Sequence, residues 1–149
     1  MGASISVAVT GLHRGDNPQP GAAVIRSLRR QFPDIRVVGL SYDPLESGLY
    51  SQDIDRVDAA YLLPFPMKGP DMLLERILNI HAKEDFQLLI PCLDSEISNF
   101  MTIYPKLEQR GIKAMLPTRS AFEKRAKETS RDFANKPTLP VRRHLRQTM

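Results

Sequence analysis

Asp94 and Glu96 stand in a turn that follows a short apolar run, Leu88-Leu89-Ile90, with Pro91, Cys92 and Leu93 between. In open α/β sheets ligands settle just past the carboxyl ends of the strands, so two carboxylates at such a turn can hold a polar ligand group. Each also has a plainer use. Asp94 or Ser95 can cap the helix that follows by accepting its free N–H groups. Glu96 can offset the helix dipole from the first turn. Asp43 ends a second β-rich run, where an open sheet often meets a ribose or another polar group; followed by Pro44, it can equally open a turn. Gly11, Gly15 and Gly21 lie between the first strand and the first helix. Their spacing is not G-x-G-x-x-G, so the dinucleotide fingerprint is absent. The loop can still present backbone N–H groups to an anion at a helix start, or the glycines can simply shape the turn. Cys92 has no His near it in sequence and reads as a small buried hydrophobe. His81 has no Cys or carboxylate at ligand spacing, and reads as a surface or packing residue.

The elements that must position these residues alternate in type. Residues 4–11 read as a strand, 12–21 as a Gly/Pro/Asn loop and 21–32 as a helix. On that helix Ala22, Val24, Ile25 and Leu28 form the apolar side and Arg26, Arg29 and Arg30 the wet side. Residues 35–42 make the second strand, 46–56 a polar loop with room for one helical turn, and 59–63 a short third strand. After a Pro-rich connection over 65–70, residues 71–84 form an amphipathic helix with Leu73, Leu74, Ile77, Leu78 and Ile80 inward. The Leu88–Ile90 run is a fourth strand, buried on both faces. Residues 95–109 read as a helix that Pro105 should kink or end early. Residues 112–116 make the fifth strand. Thr118 or Ser120 can cap a last helix, with Glu123 completing a capping box on Ser120, and that helix runs to about residue 135. Residues 136–149, with two prolines and four positive side chains, are expected to be extended or partly disordered. Strand–helix alternation of this kind predicts a mainly parallel sheet with helices on both faces and right-handed crossovers.

Composition sets the class. The chain has 149 residues, 42% of them hydrophobic and 26% charged, enough for one domain with a sizeable core. No apolar run approaches the roughly 18 residues of a membrane span. Residues 1–6 show no basic region ahead of an apolar stretch, which predicts no signal peptide. One cysteine fits a reducing, cytoplasmic setting. The net charge is +4, but residues 117–149 alone carry +6, which leaves −2 for the rest. The basic character therefore belongs to the tail. A tail without interleaved aromatics argues against nucleic-acid binding through Arg142, Arg143, His144 and Arg146.

Taken in order, these segments resemble the N-terminal (pre-ATP-grasp) domain of ATP-grasp ligases, in the carbamoyl-phosphate-synthase-like branch. The resemblance is carried by the glycine-bearing first loop leading to Gly21-Ala22-Ala23, by Asp43-Pro44 after the second strand, and by Val57-Asp58-Ala59-Ala60-Tyr61-Leu62-Leu63-Pro64. It continues in Ile90-Pro91-Cys92-Leu93-Asp94-Ser95-Glu96 and in a helix over 126–133 followed by Leu139-Pro140-Val141. Val141-Arg142-Arg143 departs from it, since the family often has a second proline there. The resemblance implies a three-layer Rossmann-like α/β domain over residues 1–136, with a mainly parallel five-stranded sheet in the order 3-2-1-4-5. Residues 137–149 would be a basic linker toward an ATP-grasp domain that this sequence does not contain. It further implies that the chain is the substrate-side domain of an ATP-dependent carboxylate–amine ligase, inactive alone, using ATP and Mg²⁺ only together with the ATP-grasp partner. His13, Arg14, Asp43, Asp94 and Glu96 would converge on the pocket of a small-molecule substrate, Arg14 gripping a carboxylate by a forked pair of bonds. Lys127, with Arg131 one turn on, would reach the nucleotide, though Lys127 can equally pair with Glu123 on a solvated face. No protein metal ligands are expected, and an edge strand left uncovered would suit a homodimer. The alternative is a stand-alone Rossmann-like module that binds a nucleotide or small anion.

Overall fold

Alternation along the first strand separates the two faces of the sheet. In β1 (Ser6–Val9), Val7 and Val9 pack with Leu12, Ile25, Ile35, Val37 and Ile90. Ala8 faces the other way, into a cluster with Val38, Leu40, Ile77, Leu89 and Phe100. This is the period-2 geometry of a strand buried on both sides. The structure, a computed structural model, describes residues 4–134. The remaining elements are α1 (Pro20–Gln31), β2 (Arg36–Ser41), β3 (Ala59–Leu62), α2 (Pro70–Glu84), β4 (Leu88–Ile90), α3 (Asp94–Gln109), β5 (Lys113–Ala114) and α4 (Arg119–Ala134), with short 3₁₀ turns at Ser47–Tyr50 and Pro66–Lys68.

The sheet is parallel throughout and its order is β3-β2-β1-β4-β5, as expected. Val7 is level with Val37 on one side and Leu88 on the other. Helix α1 covers one face, through Ile25, and α2 and α3 cover the other, through Leu73, Ile77, Ile80, Phe100, Ile103 and Leu107. The three-layer α/β architecture is thus the one expected. Phe86 and Phe100 have no exposed surface, and each contributes about 3 kcal/mol of apolar burial. The order reverses between β1 and β4, which makes their carboxyl ends the switch point of the sheet.

Four local expectations need correction. Pro105 does not end α3, which runs on to Gln109. Pro105 is on the solvent side, where water can satisfy the carbonyl that its missing N–H abandons. Arg29 is buried rather than wet. Its guanidinium donates to the Ile35 carbonyl at 3.1 Å, the Arg56 carbonyl at 3.0 Å and Asp58 at 2.8 Å, and that set of acceptors makes burial tolerable. Asp58 also accepts the Val37 N–H at 2.7 Å, tying α1 to the start of β3. The cap of α3 is Leu93, and Asp94 and Ser95 are already helical. Lastly, β5 is only Lys113–Ala114, shorter than the run over 112–116 suggested.

The chain divides into two units, Met1–Leu116 and Pro117–Met149. In the second, Thr118 caps α4 by accepting the Ala121 N–H at 3.2 Å, and Ser120 lies within the helix. The boundary expected after residue 136, and the basic segment beyond it, lie outside the described residues. Among the described residues no helix is long and apolar enough to cross a membrane.

Candidate functional site

The carboxyl ends of β1, β2 and β4 are tied to one side chain, Glu96. It enters from the first turn of α3 and has no exposed surface. Oε1 accepts the Thr10 hydroxyl, the Cys92 N–H at 3.1 Å and the Leu93 N–H at 3.1 Å; Oε2 accepts the Tyr42 hydroxyl at 2.5 Å. The Leu93 bond is the return half of a capping box, so Glu96 also satisfies the free end of its own helix. Burial pushes its carboxyl above the ordinary carboxylate range, and the four donors pull it part of the way back. Burial, reinforced by Glu96, also lifts the Tyr42 phenol well above its usual range, so Tyr42 stays a neutral donor.

Gly11 follows β1 with φ +68°, and a Cβ there would come within 2.9 Å of the Cys92 Cβ. A glycine is therefore required where the β1 and β4 turns cross. Cys92 is half-buried, and burial followed by the Glu96 charge pushes its thiol from 9.0 up to about 11. Alkylation of Cys92 by iodoacetamide near neutral pH is accordingly expected to run on the order of a hundredfold slower than that of an unperturbed thiol. A rate like a free thiol's, read by mass spectrometry, would contradict the buried setting.

Above Glu96 the four strand ends enclose a cleft of about 410 Å³. His13 and Gln19 come from the loop after β1; Tyr42, Asp43 and Glu46 follow β2; Phe65 follows β3. Leu93 and Ser95, past β4, close the remaining side. Tyr42 and Phe65 stack with ring centroids 6.3 Å apart at 23°, and the bond from Tyr42 to Glu96 fixes the pair. Glu46 is braced as well: its Oε1 accepts the Leu12 N–H at 3.0 Å and its Oε2 the Ser41 hydroxyl. Asp43 accepts the Leu45 N–H at 2.9 Å through Oδ1, an Asx turn that holds the rim.

The structure brings only some of the expected site residues together. His13 and Asp43 line the cleft. Asp94 is exposed in the first turn of α3, beside the lining residues Leu93 and Ser95. Glu96 lies beneath the cleft, with no surface to offer a ligand. Arg14 points elsewhere: it meets Asp53 at 2.8 Å and Asp55 at 3.0 Å and borders a separate depression at the start of α1. The Asp53 bond and the Asp55 charge hold the guanidinium protonated, so the fork expected for a substrate carboxylate is already filled. Asp55 is buried and also binds Arg26 at 3.3 Å and the Ser51 hydroxyl at 2.6 Å. Lys127 and Arg131 lie with Glu123 on one face of α4, in the other unit. His81 sits edge-on to Phe86 at 5.2 Å. Among the described residues no group of three or more His, Cys, Asp or Glu is placed to hold a metal ion, so these side chains do not by themselves fit Mg²⁺.

Tyr42, Glu46 and Phe65 were missed as cleft residues in sequence. Tyr42 does carry a signal, since it immediately precedes Asp43 at a strand end. Phe65 follows Leu63-Pro64 and looks like any connection residue.

No family model matches the chain, and no curated protein matches it. Solved structures do. The biotin carboxylase domain of a thermophilic 2-oxoglutarate carboxylase, bound to bicarbonate, aligns over 89% of this chain at 18% identity with a TM-score of 0.50. The corresponding domain dimer from Hydrogenobacter thermophilus, with magnesium ADP, ADP and bicarbonate, aligns over 87% at 19% identity, TM-score 0.49. Kluyveromyces lactis urea carboxylase aligns over 87% at 21% identity, TM-score 0.48. The chain spans 29%, 27% and 11% of those chains. At this identity the first likeness shows the fold: the five-stranded Rossmann-like domain read from the sequence is shared with part of a biotin carboxylase domain.

Proposed function

We propose that the chain is the substrate-side domain of an ATP-dependent carboxylate–amine ligase of the carbamoyl-phosphate-synthase-like kind, without ligase activity of its own. The observation that carries the reading is the cleft, which gathers polar and aromatic residues from four parallel strand ends at the switch point of the sheet. Small-molecule sites occur at this place in open α/β sheets. The shared fold supports it.

In this reading His13, Asp43 and Asp94 face the substrate, while Glu96 and Arg14 hold the loops that carry the cleft. Lys127 and Arg131 serve the nucleotide. ATP and Mg²⁺ act with the ATP-grasp partner domain, whose residues complete the phosphate site. The role of this chain is to bind and orient a small molecule, so that binding energy is spent on alignment before phosphoryl transfer.

A calorimetric titration of the 149-residue chain with Mg·ATP tests this. The expected result is no saturable heat up to on the order of 100 µM nucleotide, about −5.5 kcal/mol of binding free energy. Saturable binding below that would favour a stand-alone nucleotide module, and would direct attention to the loop between Gly11 and Gly21.

A further inference from the structure

We propose that the cleft takes a protonated amine carried on an aromatic or apolar body, and turns away anionic groups. This rests on the reading of the cleft as a ligase substrate site, and it assigns to this domain the amine partner rather than the carboxylate.

The charge of the lining carries the inference. Among the described residues, none of the ten that line the cleft is Lys or Arg, whereas Asp43 and Glu46 are both among them. Among the described residues the partners of these two carboxylates are neutral. Asp43 accepts a backbone N–H, and Glu46 accepts a backbone N–H and a hydroxyl. Such bonds orient a carboxylate without cancelling its charge. The arginines that could have reversed the sign, Arg14 and Arg26, border the depression at the start of α1 and are ion-paired with Asp53 and Asp55. A carboxylate or phosphate entering the cleft would therefore meet like charge with no fork to hold it.

The remaining lining says what accompanies the amine. Tyr42 and Phe65 present stacked rings, with Leu45, Pro66 and Leu93 beside them. Aromatic faces attract an ammonium group through the ring quadrupole and bury flat apolar surface. Tyr42 cannot swing away without leaving Glu96. The cleft is thus an aromatic wall with a carboxylate rim, suited to an arylalkyl or alkyl ammonium.

Three probes with the same phenyl ring and two-carbon spacer separate charge from shape: phenethylamine, 2-phenylethanol and 3-phenylpropanoate, each titrated into the ¹⁵N-labelled full chain. At about pH 8 alkylamines remain protonated while imidazoles carry little charge. The expected result is saturable amide shifts around Tyr42, Asp43 and Phe65 with the amine, in the millimolar range, and binding of the propanoate at least about tenfold weaker. Asp43→Asn keeps an oxygen for the Leu45 N–H but removes the charge. It should weaken the amine about threefold, the scale of an exposed ion pair, and leave 2-phenylethanol unchanged. Glu46→Gln should act in the same direction. The proposal is overturned if the propanoate matches the amine, if both variants bind the amine like the parent chain, or if the amine gives no saturable shift. The nucleotide titration is a separate readout. Saturable Mg·ATP binding would remove the ligase reading while leaving an amine-selective cleft in place; loss of the amine preference alone would remove only this assignment.

Discussion

Glu96→Ala is expected to lower the stability of the first unit by about 3–5 kcal/mol, the cost of stranding buried donors when their charged partner is deleted. Three groups lose their acceptor at once: the Thr10 and Tyr42 hydroxyls and the Leu93 N–H; the Cys92 N–H loses one of two acceptors and keeps the Thr10 hydroxyl oxygen at 2.7 Å. Thr10 has no exposed surface, so water cannot readily replace what it loses. The effect should be read by urea unfolding followed by circular dichroism. A loss below about 1 kcal/mol, the scale of an ordinary surface change, would show that Glu96 does not hold the strand ends. Glu96→Gln keeps the shape and an acceptor oxygen, and should cost much less.

The same pair of proteins gives a pH test. In the folded chain the Glu96 carboxyl lies above its ordinary value of 4.5, chiefly because of burial. A group raised in this way takes up a proton on folding. Its contribution is therefore most favourable below about 4.5 and declines as pH rises through the folded value. Glu84 and Glu108 act oppositely. Tyr61 and Arg36 hold the first below its ordinary value, and Lys113 holds the second, so what they contribute is lost as pH falls. Subtracting the Glu96→Gln curve from that of the parent isolates Glu96. The parent's stability relative to the variant should fall as pH rises from about 4.5, and a difference that rises or stays flat would contradict a penalised buried carboxylate.

Gly21→Ala carries the second large effect. A Cβ at Gly21 would lie 2.2 Å from the Thr10 carbonyl oxygen and 2.4 Å from that of Gly11. Both obstacles are backbone, so neither can rotate away. Helix α1 would have to draw back from the end of β1, stretching the 2.8 Å bond from the Gly21 N–H to the Gly11 carbonyl. The expected cost is about 3 kcal/mol, at the upper end for overpacking, and a melting temperature lower by about 6–12 °C. Gly111→Ala is the internal standard. Gly111 has φ +79° but nothing within 4 Å of its would-be Cβ, so only left-handed strain of about 1 kcal/mol applies. Equal losses in the two variants would show that steric approach at α1 is not what demands glycine at 21.

These expectations mark how much of the site was legible in the chain. Asp43 and His13 both line the cleft. The carboxylates at 94 and 96 separate completely. Two residues apart on a helix turn through about 200°, so one faces water and the other the interior. Periodicity alone could not say which, because the interior at that point is polar: it is made of Thr10 and Tyr42. Those two lie 86 and 54 residues from Glu96 in sequence, and no local pattern joins them. Arg29 escaped for the same reason. It sits among polar neighbours on an amphipathic helix, and only the arrival of Asp58 and two carbonyl groups makes its burial possible.

What the amino-acid order determined by itself was the succession of strands and helices, the parallel sheet with both faces covered, and the gathering of polar residues at its carboxyl edge. Those features depend on side-chain periods of two and 3.6 and on turn residues, which act over a few positions. Only the tertiary structure decided which of those polar residues reach the cleft and with what charge. Arg14 is spent on Asp53 and Asp55, Glu96 is sealed beneath the floor, and Tyr42 with Phe65 forms the wall. Each of these outcomes is set by partners brought from distant parts of the chain, where burial and pairing, rather than residue type, determine what a charged group is free to bind.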